Sequence, residues 1–161
     1  MRSSITTLAL ALFAVSCAER GTGSDVYDKM ATHNDALRTD TQVHGERVAA
    51  LGSLDGVPAE EAVHHGDVVD HAGAMHDEMN GMSGMSGMCG DDQGSMHDLL
   101  GELEADCLAH QDAMEAAGDL TGAFDEELRH QEAMEEMLED IDAMRDQMQE
   151  TCGDMTGGMG G

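Results

Sequence analysis

Histidine, methionine and cysteine are the residues of this sequence whose numbers and spacing could do chemistry. The chain has 161 residues and includes 9 His, 15 Met and 4 Cys. Imidazole, thioether and thiolate groups are ligands of soft and borderline transition metals. The first question is therefore whether the fold brings these side chains together.

Several histidines lie at equal distances from two predicted chain reversals. If the chain turns near residues 55 and 120, antiparallel helices place the histidines on either side of each turn at one level, about two helical turns from the same end. A cysteine three residues before one of them shares its helix face. His, His, His, His and Cys at one level are typical of a metal site. The predicted ligands are His44, His64, His65, Cys107, His110 and His130.

Two Glu-x-x-His motifs support an alternative set of ligands. They are Glu61 to His64 and Glu127 to His130, on the second and fourth predicted helices. This placement resembles that of ferritin-like di-iron carboxylate bundles, which implies a di-metal oxidoreductase. The resemblance is incomplete, because the first and third helices carry histidine at this level where those bundles carry Glu.

Methionine recurs at every third position of a Gly- and Ser-rich stretch that ends in a cysteine. A flexible array of thioethers can wrap a Cu(I) ion. The stretch resembles the Met-rich copper-binding segments of periplasmic copper-handling proteins and copper transporters, and residues 64–76 resemble the His/Met-rich helices of small periplasmic copper-binding bundles. The alternative is an oxidation-buffering linker. The candidate ligands are Met79, Met82, Met85 and Met88.

Apolar residues recur at spacings of three and four along most of the chain, which predicts amphipathic helices. Ser24 is a candidate N-cap for the first helix, and Pro58 fits the first position of the second. Short turns favour antiparallel neighbours. The sequence therefore predicts an all-α, antiparallel up-down four-helix bundle over 24–152, with a Gly/Met-rich loop between the second and third helices. The predicted helices span about 25–51, 59–80, 95–117 and 122–151, with the loop at 80–94 and a flexible Gly/Met tail at 153–161.

The N-terminal segment resembles the signal peptide and lipobox of bacterial lipoproteins. A short apolar run after Arg2 ends in small residues immediately before Cys17. The resemblance implies removal of residues 1–16, acylation of Cys17 and a tether over 17–23, and Ala18 favours the outer membrane. An ordinary secretory signal is the alternative.

The remaining cysteines are odd in number. Cys89 and Cys152 are expected at the same end of the bundle, whereas Cys107 lies on a buried stripe. Disulfides are permitted in a cell envelope. We therefore expect a Cys89–Cys152 bridge, with three thiolate ligands as the alternative.

Composition excludes several classes of partner. The formal net charge is −27 and aromatic residues make up 2% of the chain. Nucleic acid is excluded, because it needs cationic or stacking side chains. The sequence contains no haem-attachment motif, no Gly-rich nucleotide loop and no specific nucleophile triad.

These features predict a lipid-anchored metal-binding protein of the cell envelope, facing the periplasm or the cell surface. Copper as Cu(I) is the expected ion for binding, storage or tolerance, with zinc or iron as alternatives. An acidic structural lipoprotein without metal and a ferritin-like oxidoreductase remain the competing interpretations. Enzymatic activity and a protein partner are left open.

Overall fold

The computed structural model describes residues 23–82 and 86–153, with the side chains of residues 25–82 and 90–152. The signal segment, Cys17, the tether up to residue 22 and the tail from residue 154 lie outside the described residues, whereas Gly23, expected in the tether, begins the first helix. Helix α1 spans Gly23–Ala49, α2 spans Val57–Gly81, α3 spans Ser86–Glu115 and α4 spans Leu120–Gly153. A short 3-10 turn at Leu54–Gly56 leads into α2.

The helices form the predicted all-α bundle. Each helix packs against two neighbours, in the order α1, α2, α3, α4 and back to α1. Cross-helix contacts confirm the antiparallel arrangement, since Lys29 near the start of α1 pairs with Glu78 near the end of α2 at 3.2 Å. No described helix is long and apolar enough to cross a membrane.

The predicted stripes supply the core. Methionines and leucines at the three- and four-residue spacings are buried on all four helices, and Leu138 joins them on α4. Two buried hydrogen bonds tie α1 to α4: Tyr27 Oη donates to the Met148 carbonyl at 3.1 Å, and Asn34 Nδ2 donates to the Leu138 carbonyl at 2.9 Å. Buried donors therefore have acceptors where the interior is otherwise apolar.

A layer of buried polar side chains divides the apolar interior into two parts. This buried polar layer consists of His44, Glu61, His64, His110, Glu127 and His130. The large cluster contains residues of all four helices, among them Val26, Cys107 and Met148. A small cluster of Val48, Val57, Met114 and Ala123 lies toward the two hairpin turns. Each member of the small cluster is one helical turn from a polar residue of the layer. The layer is thus covered by hydrocarbon above and below.

The connection between α2 and α3 corrects the predicted loop at 80–94. Helix α3 begins at Ser86, nine residues before Ser95. Met79 and Met82, expected in an exposed thioether array, are buried in the large cluster. Apolar packing here outweighs the low helix propensity of glycine, which is a weak local preference. Met85 and the side chains of Met88 and Cys89 lie outside the described residues.

Candidate metal centre

Histidine rings pair across the helices of the buried layer. His44 stacks on His64 with ring centroids 4.2 Å apart, and His110 stacks on His130 at 3.9 Å. The His64 and His130 Nε2 atoms are 3.1 Å apart. The four rings, one from each helix, therefore form a continuous cluster in the interior.

The first group of converging ligand atoms contains two imidazoles and two carboxylates. His44 Nε2 lies 3.3 Å from Glu61 Oε1 and 3.1 Å from Glu127 Oε2. His110 Nε2 lies 3.3 Å from Glu61 Oε2 and 3.3 Å from Glu127 Oε2. A tetrahedral ion with bonds of about 2.0–2.1 Å separates its ligand atoms by about 3.3 Å. The four histidine–carboxylate separations are close to that value, although Glu61 approaches the two histidines through different oxygens.

These atoms are close together but are not oriented as hydrogen bonds. Within the described part of the chain, His44 Nε2, Glu61 Oε1, His110 Nε2 and Glu127 Oε2 are buried and have no hydrogen-bond partner. Such unpaired polar atoms are rare in protein interiors and each costs free energy. Four of them facing one another are the arrangement that a bound cation would satisfy.

The second group adds a thiol. His64, Cys107 and His130 are buried and can each direct a ligand atom to within 4.8 Å of the others. Cys107 is a free cysteine. Two imidazoles and a thiolate suit copper or zinc. Because the rings of the two groups stack, the groups are immediate neighbours.

Carboxylates outside the layer orient two of the histidines. His130 Nδ1 bonds Asp106 Oδ2 at 2.9 Å, and His110 Nδ1 contacts Glu126 Oε1 at 3.3 Å. The Arg129 guanidinium joins the two carboxylates, at 2.7 Å from Glu126 and 3.4 Å from Asp106. Metal-binding histidines commonly donate their second ring N–H to a carboxylate, which directs the other nitrogen at the ion.

Burial and neighbouring charges shift the proton affinities within the layer. Burial would lower the pKa of His44, but the carboxylates of Glu127 and Glu61 outweigh it and raise that pKa to about 9. Burial, with nearby histidines, lowers the pKa of His64 to about 3 and that of His130 to about 4. Burial would raise the pKa of Glu127, but His110 and His44 outweigh that effect and hold the pKa well below its usual value.

Cys107 is a poor nucleophile in this environment. Burial and the Glu61 and Asp106 carboxylates raise the pKa of its thiol to about 12. A coordinating metal deprotonates a thiol outright. Cys107 would therefore become a thiolate only when an ion binds.

A cleft between α1 and α4 reaches the first group from the surface. Its volume is about 740 Å³, and Glu127, Gln131, Gly45, Phe124 and Leu128 are among its lining residues. Gln131 Nε2 donates to Glu127 Oε1 at 2.8 Å. Glu127 is thus the ligand nearest to a route of entry.

The structure brings together most of the residues that the sequence singled out, and separates others. His44, His64, Cys107, His110 and His130 meet, together with both glutamates of the alternative set. His65 is a correction: it is half-buried and belongs to neither group, because consecutive helical residues point about 100° apart. Met79 and Met82 lie in the large apolar cluster, outside both groups.

Three residues that orient the histidines escaped the sequence reasoning: Asp106, Glu126 and Arg129. With 34 Asp and Glu in the chain, neither Asp106 nor Glu126 stood out by type or spacing. Only Arg129, one of seven Lys and Arg and adjacent to His130, offered a signal.

Comparisons with known proteins give no relative: no family model, curated protein or solved structure matches this chain. The class that the fold and the side chains support is an all-α four-helix bundle with buried His/Glu and His/Cys groups that could hold metal.

Proposed function

We propose that this protein is a metal-binding protein of the cell envelope that binds ions at two adjacent sites inside its helical bundle. The observation that carries the proposal is the convergence of four buried, unpaired ligand atoms from His44, Glu61, His110 and Glu127. Burying such a set without an ion is costly, and a cation removes that cost.

Charge balance favours a different ion at each site. Two neutral imidazoles and two carboxylates carry −2 in the first group, which a divalent ion such as Zn(II) or Fe(II) cancels. Two imidazoles and one thiolate carry −1 in the second group, which Cu(I) cancels. Neutral assemblies are the ones that a low-dielectric interior tolerates. Cu(I) binding is therefore proposed at His64, Cys107 and His130.

Attachment to the membrane belongs to the same proposal. The lipobox-like segment before Cys17 supports acylation and a position in the outer membrane, facing the periplasm or the cell surface. A lipid anchor would hold a metal store beside the membrane without a spanning helix. Replacing Cys17 with Ser should release the protein from the membrane fraction, whereas Cys107→Ser should leave it attached.

Metal titration of the purified, chelator-treated protein tests the proposal. Anaerobic Cu(I) titration against a competing chelator should show tight binding that Cys107→Ser weakens at least about 100-fold. Zn(II) titration should show a site that Cys107→Ser retains and His44→Ala loses. His65→Ala is the matched control for both measurements, since His65 belongs to neither group.

If neither ion binds, or if both bind equally well to all three variants, the interior groups are not metal ligands. An acidic structural lipoprotein would then be the better interpretation. Circular dichroism of each variant separates loss of a ligand from loss of the bundle.

One observation favours a second candidate, a di-metal oxidoreductase. Glu61 presents one oxygen to His44 and the other to His110, as a bridging carboxylate does, and the cleft leads to Glu127. Loading with Fe(II) followed by exposure to oxygen distinguishes the two functions. Rapid oxygen consumption that Glu127→Gln abolishes would favour the oxidoreductase.

A further inference from the structure

A pair of histidines lies outside the buried layer, on the seam between α1 and α2. The His33 and His71 Nδ1 atoms are 3.0 Å apart, and their ring centroids are 5.3 Å apart at an angle of 52°. His71 is seven residues beyond His64 on α2, which is about 10 Å along the helix. The pair is therefore separate from both buried groups.

Two like nitrogens face each other in this pair. The separation of 3.0 Å is close to that of two ligands on one ion with bonds of about 2.0–2.1 Å. The ring planes are tilted rather than stacked, and the two Nδ1 atoms are the ring atoms through which the histidines meet.

The second nitrogen of His71 has a carboxylate beside it. His71 Nε2 lies 3.5 Å from Asp40 Oδ2. A carboxylate at the far nitrogen of a histidine favours the tautomer whose other nitrogen is free to bind a metal. This repeats the relation of Asp106 to His130 in the buried layer.

The surroundings of the pair suit a cation that arrives from solvent. The side chains of His71 and Asp40 are 29% and 32% exposed, so an ion and its remaining waters have access. Glu78 acts electrostatically on His33 and is shared with Lys29. The charged side chains around the pair, Asp40, Glu78 and Lys29, therefore carry a net negative charge.

We propose that His33 and His71 form an additional, solvent-accessible metal site that binds divalent borderline ions such as Zn(II) through both Nδ1 atoms. Water completes the coordination, and Asp40 positions His71. The site does not require either buried group to bind metal.

A similar pair lies on the seam between α2 and α3. His76 and His97 approach each other through Nδ1, and their rings stack with centroids 4.6 Å apart and planes 9° apart. With the two buried pairs, this places eight of the nine histidines in four cross-helix pairs. His65 is the remaining one and serves as the matched control.

Zn(II) titration of the purified, chelator-treated protein tests the His33–His71 site. In calorimetry, the double variant that carries His33→Gln and His71→Gln should bind one equivalent of Zn(II) fewer than the unmodified protein. His65→Gln should bind as many equivalents as the unmodified protein. His110→Ala with His130→Ala should retain the His33–His71 equivalent, so failure here is distinguishable from failure of the buried sites.

Nitrogen-15 NMR of the unmodified protein gives a readout that does not depend on a variant. Zn(II) should shift the Nδ1 resonances of His33 and His71 together and leave their Nε2 resonances nearly unchanged. Unchanged Nδ1 resonances, or an equal Zn(II) stoichiometry with and without the two glutamines, would overturn the proposal. The pair would then be an ordinary hydrogen bond between two imidazoles.

Discussion

His44 lies beside the two buried carboxylates of the first group. Its pKa is raised to about 9 because Glu127 and Glu61 outweigh the effect of burial. A metal ion competes with that proton for the same nitrogen. Between pH 6.5 and 9, metal affinity at this group should therefore rise with pH.

The chelator-treated protein should be most stable near pH 6.5. Below that pH, the unfolded chain protonates His64 and His130, whereas the folded state keeps them neutral until about pH 3 and pH 4. The free energy of unfolding should then fall by up to about 2.7 kcal/mol per pH unit as pH decreases. Above pH 6.5, the folded state holds a proton on His44 that the unfolded chain has lost, so stability should fall by up to about 1.4 kcal/mol per pH unit until about pH 9.

Urea unfolding at pH 5.0, 6.5 and 8.5 measures these slopes. His44→Gln should remove the decline above pH 6.5, and His65→Gln should leave both slopes unchanged. A His44→Gln protein that still loses stability between pH 6.5 and 8.5 would show that another group titrates there.

Asp106 is expected to matter for affinity through His130. Asp106→Asn keeps the size of the side chain but replaces the carboxylate that bonds His130 Nδ1 at 2.9 Å. Affinity for Cu(I) at the second group should fall about 10–100-fold. Chelator competition measures it, and Asp98→Asn, an exposed change on the same helix, is the control. Equal losses in the two variants would indicate a general effect of charge.

At the scale of the elements, Gly45 of α1 lies directly against side chains of α4. A Cβ at this position would lie 1.5 Å from Gln131 Nε2 and 3.0 Å from Glu127 Oε1. The buried glycine therefore leaves room for the amide that orients Glu127. Since Gln131 also lines the cleft, this contact lies where the buried group meets the surface.

Gly45→Ala should lower metal affinity while changing stability little. The methyl group displaces Gln131 and removes its hydrogen bond to Glu127, which should cost about 10–100-fold in Zn(II) affinity. Alanine favours the helix by about 1 kcal/mol, which offsets the strain of moving a flexible side chain. Titration and thermal unfolding of the same sample give both quantities.

Gly66→Ala is the matched control, because an added Cβ on α2 meets nothing within 4 Å. It should stabilise the protein by about 0.5–1 kcal/mol with unchanged affinity. Unchanged Zn(II) affinity in Gly45→Ala would show that Gln131 does not orient the ligand.

At the scale of the whole molecule, a covalent bond fixes the end of α4. Cys152 is disulfide-bonded, and Cys107 is free. The side chain of the expected partner, Cys89, lies outside the described residues, so the Cys89–Cys152 pairing stays a prediction. Such a bridge would join the first turn of α3 to the last turn of α4 and close the bundle at the end opposite the metal layer.

Peptide mapping without reductant should recover Cys89 and Cys152 in one fragment. Reduction should lower the free energy of unfolding by about 4 kcal/mol, because a loop of this length then regains its freedom in the unfolded chain. Cys89→Ser should show the same loss without reductant, and Cys107→Ser should not. Recovery of Cys107 in the linked fragment would contradict the pairing.

Periodicity in the sequence was sufficient to predict the number of helices and the all-α bundle that they form. Because the helical period is fixed at 3.6 residues, apolar spacing predicted which faces are buried. Chain reversals near residues 55 and 120 predicted that His44 lies level with His64 and His65, and His110 with His130. Of His64 and His65, only His64 meets His44. The structure brings these residues together as ring pairs.

Local sequence patterns could not decide which of several residues of the same type point into the interior of the bundle. Only the packing of four helices turned Glu61 and Glu127 inward among 34 acidic residues, and only the 100° rotation between neighbours separated His64 from His65. Glycine near residue 90 predicted a loop from local propensity, yet α3 extends back to Ser86. Met79, Met82 and Met96 are buried in a cluster drawn from all four helices, so their contribution to the stability of α3 existed only once the bundle had formed.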